Sequence, residues 1–257
     1  MIHSTAIIDP KAELASDVEV GPYAVIGPDV KIGSGTRIGS HVVIQGHTTI
    51  GRNNHFYHFS SIGEAPQDKK YQGEPTALEI GDNNTLREYC TLNRGTAQDV
   101  GVTRLGNDNW LMAYVHIAHD CQIGSHTIFA NMTTLGGHVD VGDYAILGGG
   151  TLVHQFCKMG AHIIVGGGAI LRQDVPPFVM AEGSDKVQPH GLNAEGLKRR
   201  GFTPETLLQL KRAYNTLYRS GLTLQEAKVA LAEQRAECPE VGIILDFLET
   251  STRGIIR

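Results

Sequence analysis

Along most of this chain an apolar residue returns at every sixth position, often with glycine next to it. VGPYAV, IGPDVK, IGSGTR, IGSHVV, IQGHTT and IGRNNH follow one another from residue 20 to 55. The frame extends back through Leu14 and Ile8 to Ile2. After two interruptions it resumes at Leu105 and continues through Leu111, Ile117, Ile123, Phe129, Leu135, Val141, Leu147, Val153, Met159 and Val165 to Leu171. All twelve of these positions are apolar in a chain that is 41% hydrophobic, which chance would give with a probability on the order of 10⁻⁵. Four residues after each stands a second small residue, such as Val115, Cys121, Thr127 or Thr133. Two inward positions flanking one outward position describe a four-residue strand, which leaves two residues per hexad for a turn.

Two segments break the period. The stretch GEAPQDKKYQGEPTALE, between Ile62 and Ile80, is too polar and irregular for a wall of strands and is predicted to protrude as a loop over about 64–79. Either it is a tolerated insertion, or it carries Asp68 and Lys70 to the site of a neighbouring subunit. The second break, around RGTAQDVGVTR, predicts a smaller excursion with no chemistry assigned. The repeats are expected to end at DVPPFV, where two prolines block the ladder. The expected division is therefore a β domain over 1–186 and a helical domain over 187–257. In the latter, Thr203-Pro204 starts a helix with Leu207, Leu210, Tyr214, Leu217 and Tyr218 on one face. Thr223 and Glu226 form a capping box for the next, and a last helix starts at Pro239.

Composition fits a chain rich in turns and poor in bulky side chains: 31 of 257 residues are glycine, 6% are aromatic and one is tryptophan. No basic start followed by an apolar run and no 18-residue apolar segment is present, so a cytosolic protein without a membrane span is expected. A net charge of −5 argues against nucleic acid as a partner. Residues 187–219 nevertheless hold six Lys or Arg against two Glu, with Lys198, Arg199 and Arg200 adjacent, which suits either a solvated helix face or phosphates and acidic partners. The four cysteines form no C-x-x-C; Cys90, Cys121 and Cys157 fall on the small inward slot and read as packing residues.

A period of six this regular resembles the hexapeptide-repeat acyltransferases, which implies a left-handed parallel β-helix with three sides and 18 residues per coil. Stepping by 18 from HIAHDC, residues 116–121, puts His116, His119, Asp120, His138, His154 and Gln155 on one outer corner, since stacked coils lie about 4.8 Å apart. His126 and His162, with Tyr144 between them, fall on another corner that this reading leaves without a carboxylate. Position alone leaves two chemistries open for the first corner. Zinc needs imidazoles converging on one point, as in β-helical carbonic anhydrases. A general base needs one imidazole and a carboxylate to fix its tautomer; Asp120 beside His119 suits that, and Gly137 offers a backbone N–H to an oxyanion. The base is the preferred reading.

PQDKKYQGEPT, LMAYVHIAHDC, LGGHVDVGD, TLVHQFCKMGAH, DVPPFV, NAEGLKRRGF and the terminal STRGIIR, in that order, resemble the UDP-N-acetylglucosamine 3-O-acyltransferases over the whole chain. The resemblance implies a cytosolic homotrimer that moves an R-3-hydroxyacyl group from acyl carrier protein to the 3-hydroxyl of UDP-N-acetylglucosamine, the first step of lipid A biosynthesis. No cofactor, metal or covalent intermediate is implied. Carried over by motif, His119 is the base, Asp120 supports it and Gly137 holds the oxyanion. His116, His138, His154 and Gln155 line the cleft, and Asp68 and Lys70 reach the sugar nucleotide. Asn193, Glu195, Arg199 and Arg200 bind its uridine and diphosphate, and the basic helices meet the carrier protein. Gly167 falls where the family sets the depth of the acyl groove, which favours a chain of about fourteen carbons. The chain departs from the family at Asn93, where TIHRGT-type motifs carry histidine, and in the linker EGSDKVQPHG. The rivals are the sibling N-acyltransferase, whose extra uridine-binding domain has no room before Ile2, a CoA-dependent sugar O-acetyltransferase, a zinc carbonic anhydrase and a purely structural β-helix.

Overall fold

The computed structural model describes residues 1–257, and its strands wind as a left-handed parallel β-helix. Three parallel walls of short strands result. One starts at Ile7–Ile8 and ends at Ile170–Leu171, the next runs from Glu13–Leu14 to Lys158–Met159, and the third starts at Glu19–Val20. Where nothing is inserted, partners lie 18 apart: His116 pairs with Thr134 and Ile117 with Leu135. At the two breaks the spacing changes, to 30 between Ser61 and Thr91 and to 25 between Thr91 and His116. The first arm therefore adds twelve residues to its coil and the second excursion seven.

Both inward slots are filled as the pattern requires. Ile117, Phe129, Leu135, Leu147 and Leu171 are fully buried, and so are Val115, Cys121, Thr127, Thr133 and Cys157 in the smaller slot. A buried hydroxyl needs an acceptor. Thr133 and Thr151 find theirs in the carbonyls of Ala130 and Gly148, at 2.9 and 2.6 Å, so threonine fits a slot that elsewhere holds residues such as valine, alanine and cysteine. The four cysteines are all buried and free; burial raises the thiols of Cys90 and Cys121 to about 12, far from a reactive state. The frame weakens only at its open end, where Ile2 has no coil above it and is 56% exposed.

The second residue of most turns, including Asp120, His138 and Phe156, has a positive φ near 60°. Aspartate, asparagine and histidine tolerate that region better than other side chains, and β-branched residues tolerate it least. The turn geometry thus admits the same residue types that chemistry needs at the corner.

The lower end differs from the expectation. Pro176 and Pro177 do not stop the ladder, because Pro177 opens the turn 177–178 and Pro176 directly precedes it, outside any strand. Val179–Glu182 resumes pairing with Ile164–Val165, and Gln188–Leu192 returns antiparallel against it. The expected boundary at 186/187 therefore lies in the loop of a hairpin, and residues 188–192 form a strand, not a helix. Helices follow as α1 (Ala194–Arg199), α2 (Pro204–Tyr218), α3 (Leu224–Gln234) and α4 (Val241–Thr250). Thr203 caps α2 and the Thr223–Glu226 capping box forms on α3. The last helix begins two residues after Pro239, which lies in the preceding turn with its carbonyl accepting from Gly242. Leu210, Leu217, Leu231, Val241 and Leu248 close a second, smaller core among the helices. No helix is long and apolar enough to cross a membrane.

Candidate active site

The turns 119–120, 137–138 and 155–156 stack on the corner between the first and second walls. His119 Nδ1 meets Asp120 Oδ2 at 2.9 Å, and the His138 ring stands edge-on to the His119 ring with centroids 4.9 Å apart. A carboxylate only accepts, so Nδ1 of His119 carries the proton and Nε2 keeps its lone pair. Asp120 is 2% exposed. Burial pushes its carboxyl up, but hydrogen bonds from His119 and Thr96 and the charge of His138 outweigh that and hold it below the usual carboxylate range. Gly137 donates its N–H to no protein group. A Cβ built on it would lie 2.6 Å from His119 Cε1, so only glycine leaves this imidazole its place.

The second excursion, to which the repeat pattern assigns no chemistry, supplies two groups that hold this corner. The backbone N–H of Thr96 donates to both oxygens of Asp120 at 3.0 and 3.1 Å, and its hydroxyl donates to Oδ2 at 2.7 Å. Asp99 Oδ2 lies 2.5 Å from His138 Nδ1. His119 and His138 therefore each have Nδ1 on a carboxylate and Nε2 free. No spacing signals these residues, since the excursion lies outside the repeat; the cue was an aspartate and a threonine in the segment directly above the histidine pair. Phe156, equally unforeseen, stacks on His138 at 4.3 Å.

A cleft of about 580 Å³ opens beside the pair, lined among others by Asp68, Lys70, Thr96, Asp99, Asp120 and His138. Within this chain the first arm thus brings Asp68 and Lys70 to its own corner. Arg94 pins that arm, donating to Gly63 O at 2.7 Å and to the Tyr71 hydroxyl at 3.2 Å. Asn93 adds a hydrogen bond to Ala65 O at 2.9 Å, so the departure from the family motif still ties arm and excursion together.

His116 sits on the strand leading into the corner, with Nδ1 2.7 Å from Thr91 Oγ1; burial and the neighbouring His119 lower its pKa and keep it neutral. His154 and Gln155 lie at the lower end of the ridge, in contact with Arg253. No three imidazoles converge on one point. His119, Asp120 and His138 offer ligand atoms within 4.8 Å of one another, but only two of the three are imidazoles and each has its Nδ1 on a carboxylate. That donor set matches a hydrogen-bonded base better than a zinc site.

The remaining site residues lie elsewhere. His126, Tyr144 and His162 stack at 4.6 and 4.8 Å on the corner between the second and third walls. This column does have a carboxylate, because Asp108 stands one coil above His126 with Oδ2 at 4.0 Å from its Nδ1. Arg200, at the end of α1, lies over the Tyr144 ring at 4.9 Å and within 3.4 Å of His162 Nδ1. Burial, helped by that guanidinium, pushes His162 down to about 4. Asn193 is buried, its Oδ1 capping α1 at Gly196 and its Nδ2 on His162 O; Glu195 and Arg199 belong to the same short helix. Gly167 is on the third corner, where an added Cβ would come 3.2 Å from Gly149 O. One chain by itself does not bring these groups to the His119 cleft.

Comparison with known proteins gives the family. Residues 174–256 match the family described as UDP-N-acetylglucosamine O-acyltransferase, domain 2, and residues 29–64 and 103–137 match the bacterial transferase hexapeptide family. The acyl-[acyl-carrier-protein]–UDP-N-acetylglucosamine O-acyltransferase of Thiobacillus denitrificans is 62% identical, covering 100% of this chain and 99% of its own. The chain belongs to the UDP-N-acetylglucosamine O-acyltransferase family. Solved structures agree: LpxA from Acinetobacter baumannii superposes with a TM-score of 0.97 at 49% identity, over 100% of this chain and 99% of that one. The Francisella novicida UDP-N-acetylglucosamine acyltransferase gives 0.98 at 44%, over 100% and 94%.

Proposed function

We propose that this enzyme transfers an R-3-hydroxyacyl group from acyl carrier protein to the 3-hydroxyl of UDP-N-acetylglucosamine, the step that opens lipid A synthesis. The observation that carries the mechanism is the His119–Asp120 pair, its Nε2 free, beside the unpaired N–H of Gly137. Nε2 of His119 removes the proton of the sugar hydroxyl as that oxygen bonds to the thioester carbon. The carbonyl electron pair moves to its oxygen, which the Gly137 N–H receives. Collapse re-forms the carbonyl and breaks the C–S bond, and the imidazolium returns its proton to the leaving thiolate, giving ester and free carrier thiol. Asp120, held anionic by Thr96, supports the imidazolium between these steps.

A homotrimer reconciles the two groups that one chain keeps apart. His119, Asp68 and Lys70 are on one corner, Arg200, Arg199 and Glu195 on another; a sugar nucleotide touching both sets needs two prisms side by side, each corner facing its neighbour's. The arm would then still border a cleft shared by two chains. Mixing His119→Ala chains with Arg200→Ala chains is expected to restore activity that neither has, in about a quarter of the clefts for random trimers. A mixture as inactive as its parents would mean that the two groups do not meet across a subunit interface. A cytoplasmic location goes with this reading, the carrier protein being a cytoplasmic donor that the basic helices would meet.

Transfer to UDP-N-acetylglucosamine from hydroxyacyl carrier proteins of stepped length tests the reaction. With glycine at 167 the optimum is expected near about fourteen carbons. A sharp optimum near ten would remove Gly167 from that role, and transfer from acetyl-CoA but from no carrier protein would replace the reading with an O-acetyltransferase.

A further inference from the structure

The C-terminal residues 251–256 form a strap across the last coil, fixed there by Asp174. That aspartate is fully buried. Its Oδ1 accepts the N–H of Lys158 at 2.7 Å, and its Oδ2 accepts the Ser251 hydroxyl at 2.6 Å. Its own N–H donates to Gly254 O at 2.8 Å, and Ile256 N–H donates back to Asp174 O at 2.9 Å. Ile255 and Ile256, at the end of the strap, are buried. The position of its exposed side chains is thus set by the β-helix, and Thr252 borders the cleft of Asp120 and His138.

The strap puts the Arg253 guanidinium 2.5 Å from His154 Nδ1 and 3.1 Å from Gln155 O. Gln155 O is itself 3.1 Å from the same Nδ1, and would bond to it if that nitrogen carried the proton. Arginine only donates, so Nδ1 of His154 must accept, the carbonyl takes the second guanidinium hydrogen, and the imidazole proton resides on Nε2. This polarity is opposite to that of His119 and His138, whose Nδ1 atoms face carboxylates.

We propose that Arg253 is a positioning residue that fixes His154 as an Nε2–H donor, so the ridge offers substrate oxygens one neutral donor beside two acceptors. The kinetic consequence rests on the acyltransferase reading and on His154 lining the cleft; the proton position does not. In ¹⁵N-histidine spectra of the whole protein, His154 is expected to show an unprotonated Nδ1. In Arg253→Met the freed Gln155 carbonyl draws the proton to Nδ1, and turnover falls on the order of tenfold with a smaller change in KM. Arg253→Lys, whose ammonium also only donates, restores the tautomer and most of the turnover. A wild-type His154 protonated at Nδ1, or an Arg253→Met protein with tautomer and turnover unchanged, would overturn the proposal. If no transfer activity is found in the wild type, the spectra still decide the proton position, so failure of the reaction assignment is told apart from failure of this one.

Discussion

His119→Ala is expected to lower kcat by at least ~10², the scale of a positioned general base, while KM for the sugar nucleotide changes little. On the proposed mechanism the side chain removed acts as the base in the transition state, and it is not part of the hydrophobic core. Its partner Asp120 keeps both Thr96 contacts, and the backbone of the turn keeps its bond from Asp120 N–H to Thr103 Oγ1 at 2.8 Å. An unfolding temperature near that of the parent chain should therefore accompany the loss. Near-normal turnover from a folded variant would reject His119 as the base, whatever the family. A loss that came with dissociation or unfolding would instead show that the turn depends on the imidazole for stability. Single-turnover transfer from acylated carrier protein, measured beside circular dichroism, separates these outcomes.

What the chain disclosed by its pattern was whatever the period controls. Six-residue spacing put Ile117 and Val115 inside and His116 outside, and one step of 18 stacked the turn 137–138 on 119–120, which brings His119 and His138 together; each follows from alternation of faces and a constant rise between coils. The period is silent where it is interrupted, and the missed chemistry is there. Asp99 and Thr96 come from the second excursion and Arg253 from the terminal strap, and their positions depend on hydrogen bonds of irregular backbone to Asp120 and Asp174. The prolines misled for a related reason: proline bars a ladder position, but Pro177 sits in a turn, which the sequence could not distinguish without the coil in view. The separation of Arg200 from His119 could not be read from spacing either, because α1 lies beyond the last repeat and docks through Tyr144 and His162.

Gly137→Ala should be nearly as damaging as loss of the imidazole, for a steric reason and with the oxyanion donor intact. The backbone there has no positive φ, so alanine fits the turn and keeps its N–H. The added methyl carbon, however, would lie 2.6, 2.8 and 3.1 Å from Cε1, Nε2 and Nδ1 of His119, and no other atom is closer. Contacts that short are repulsive, and the ring is the one part able to move, at the expense of its 2.9 Å bond to Asp120. Turnover is expected to fall by about 10² or more, because a base displaced from its hydrogen-bonding position loses its effect. The same clash predicts strong non-additivity: with His119 already alanine the methyl has room, so His119→Ala/Gly137→Ala should be scarcely worse than His119→Ala alone. Multiplying losses in the double variant would mean that Gly137 acts through something other than space for the imidazole. A Gly137→Ala enzyme with parental turnover would mean that the ring does not need to stand where it stands here.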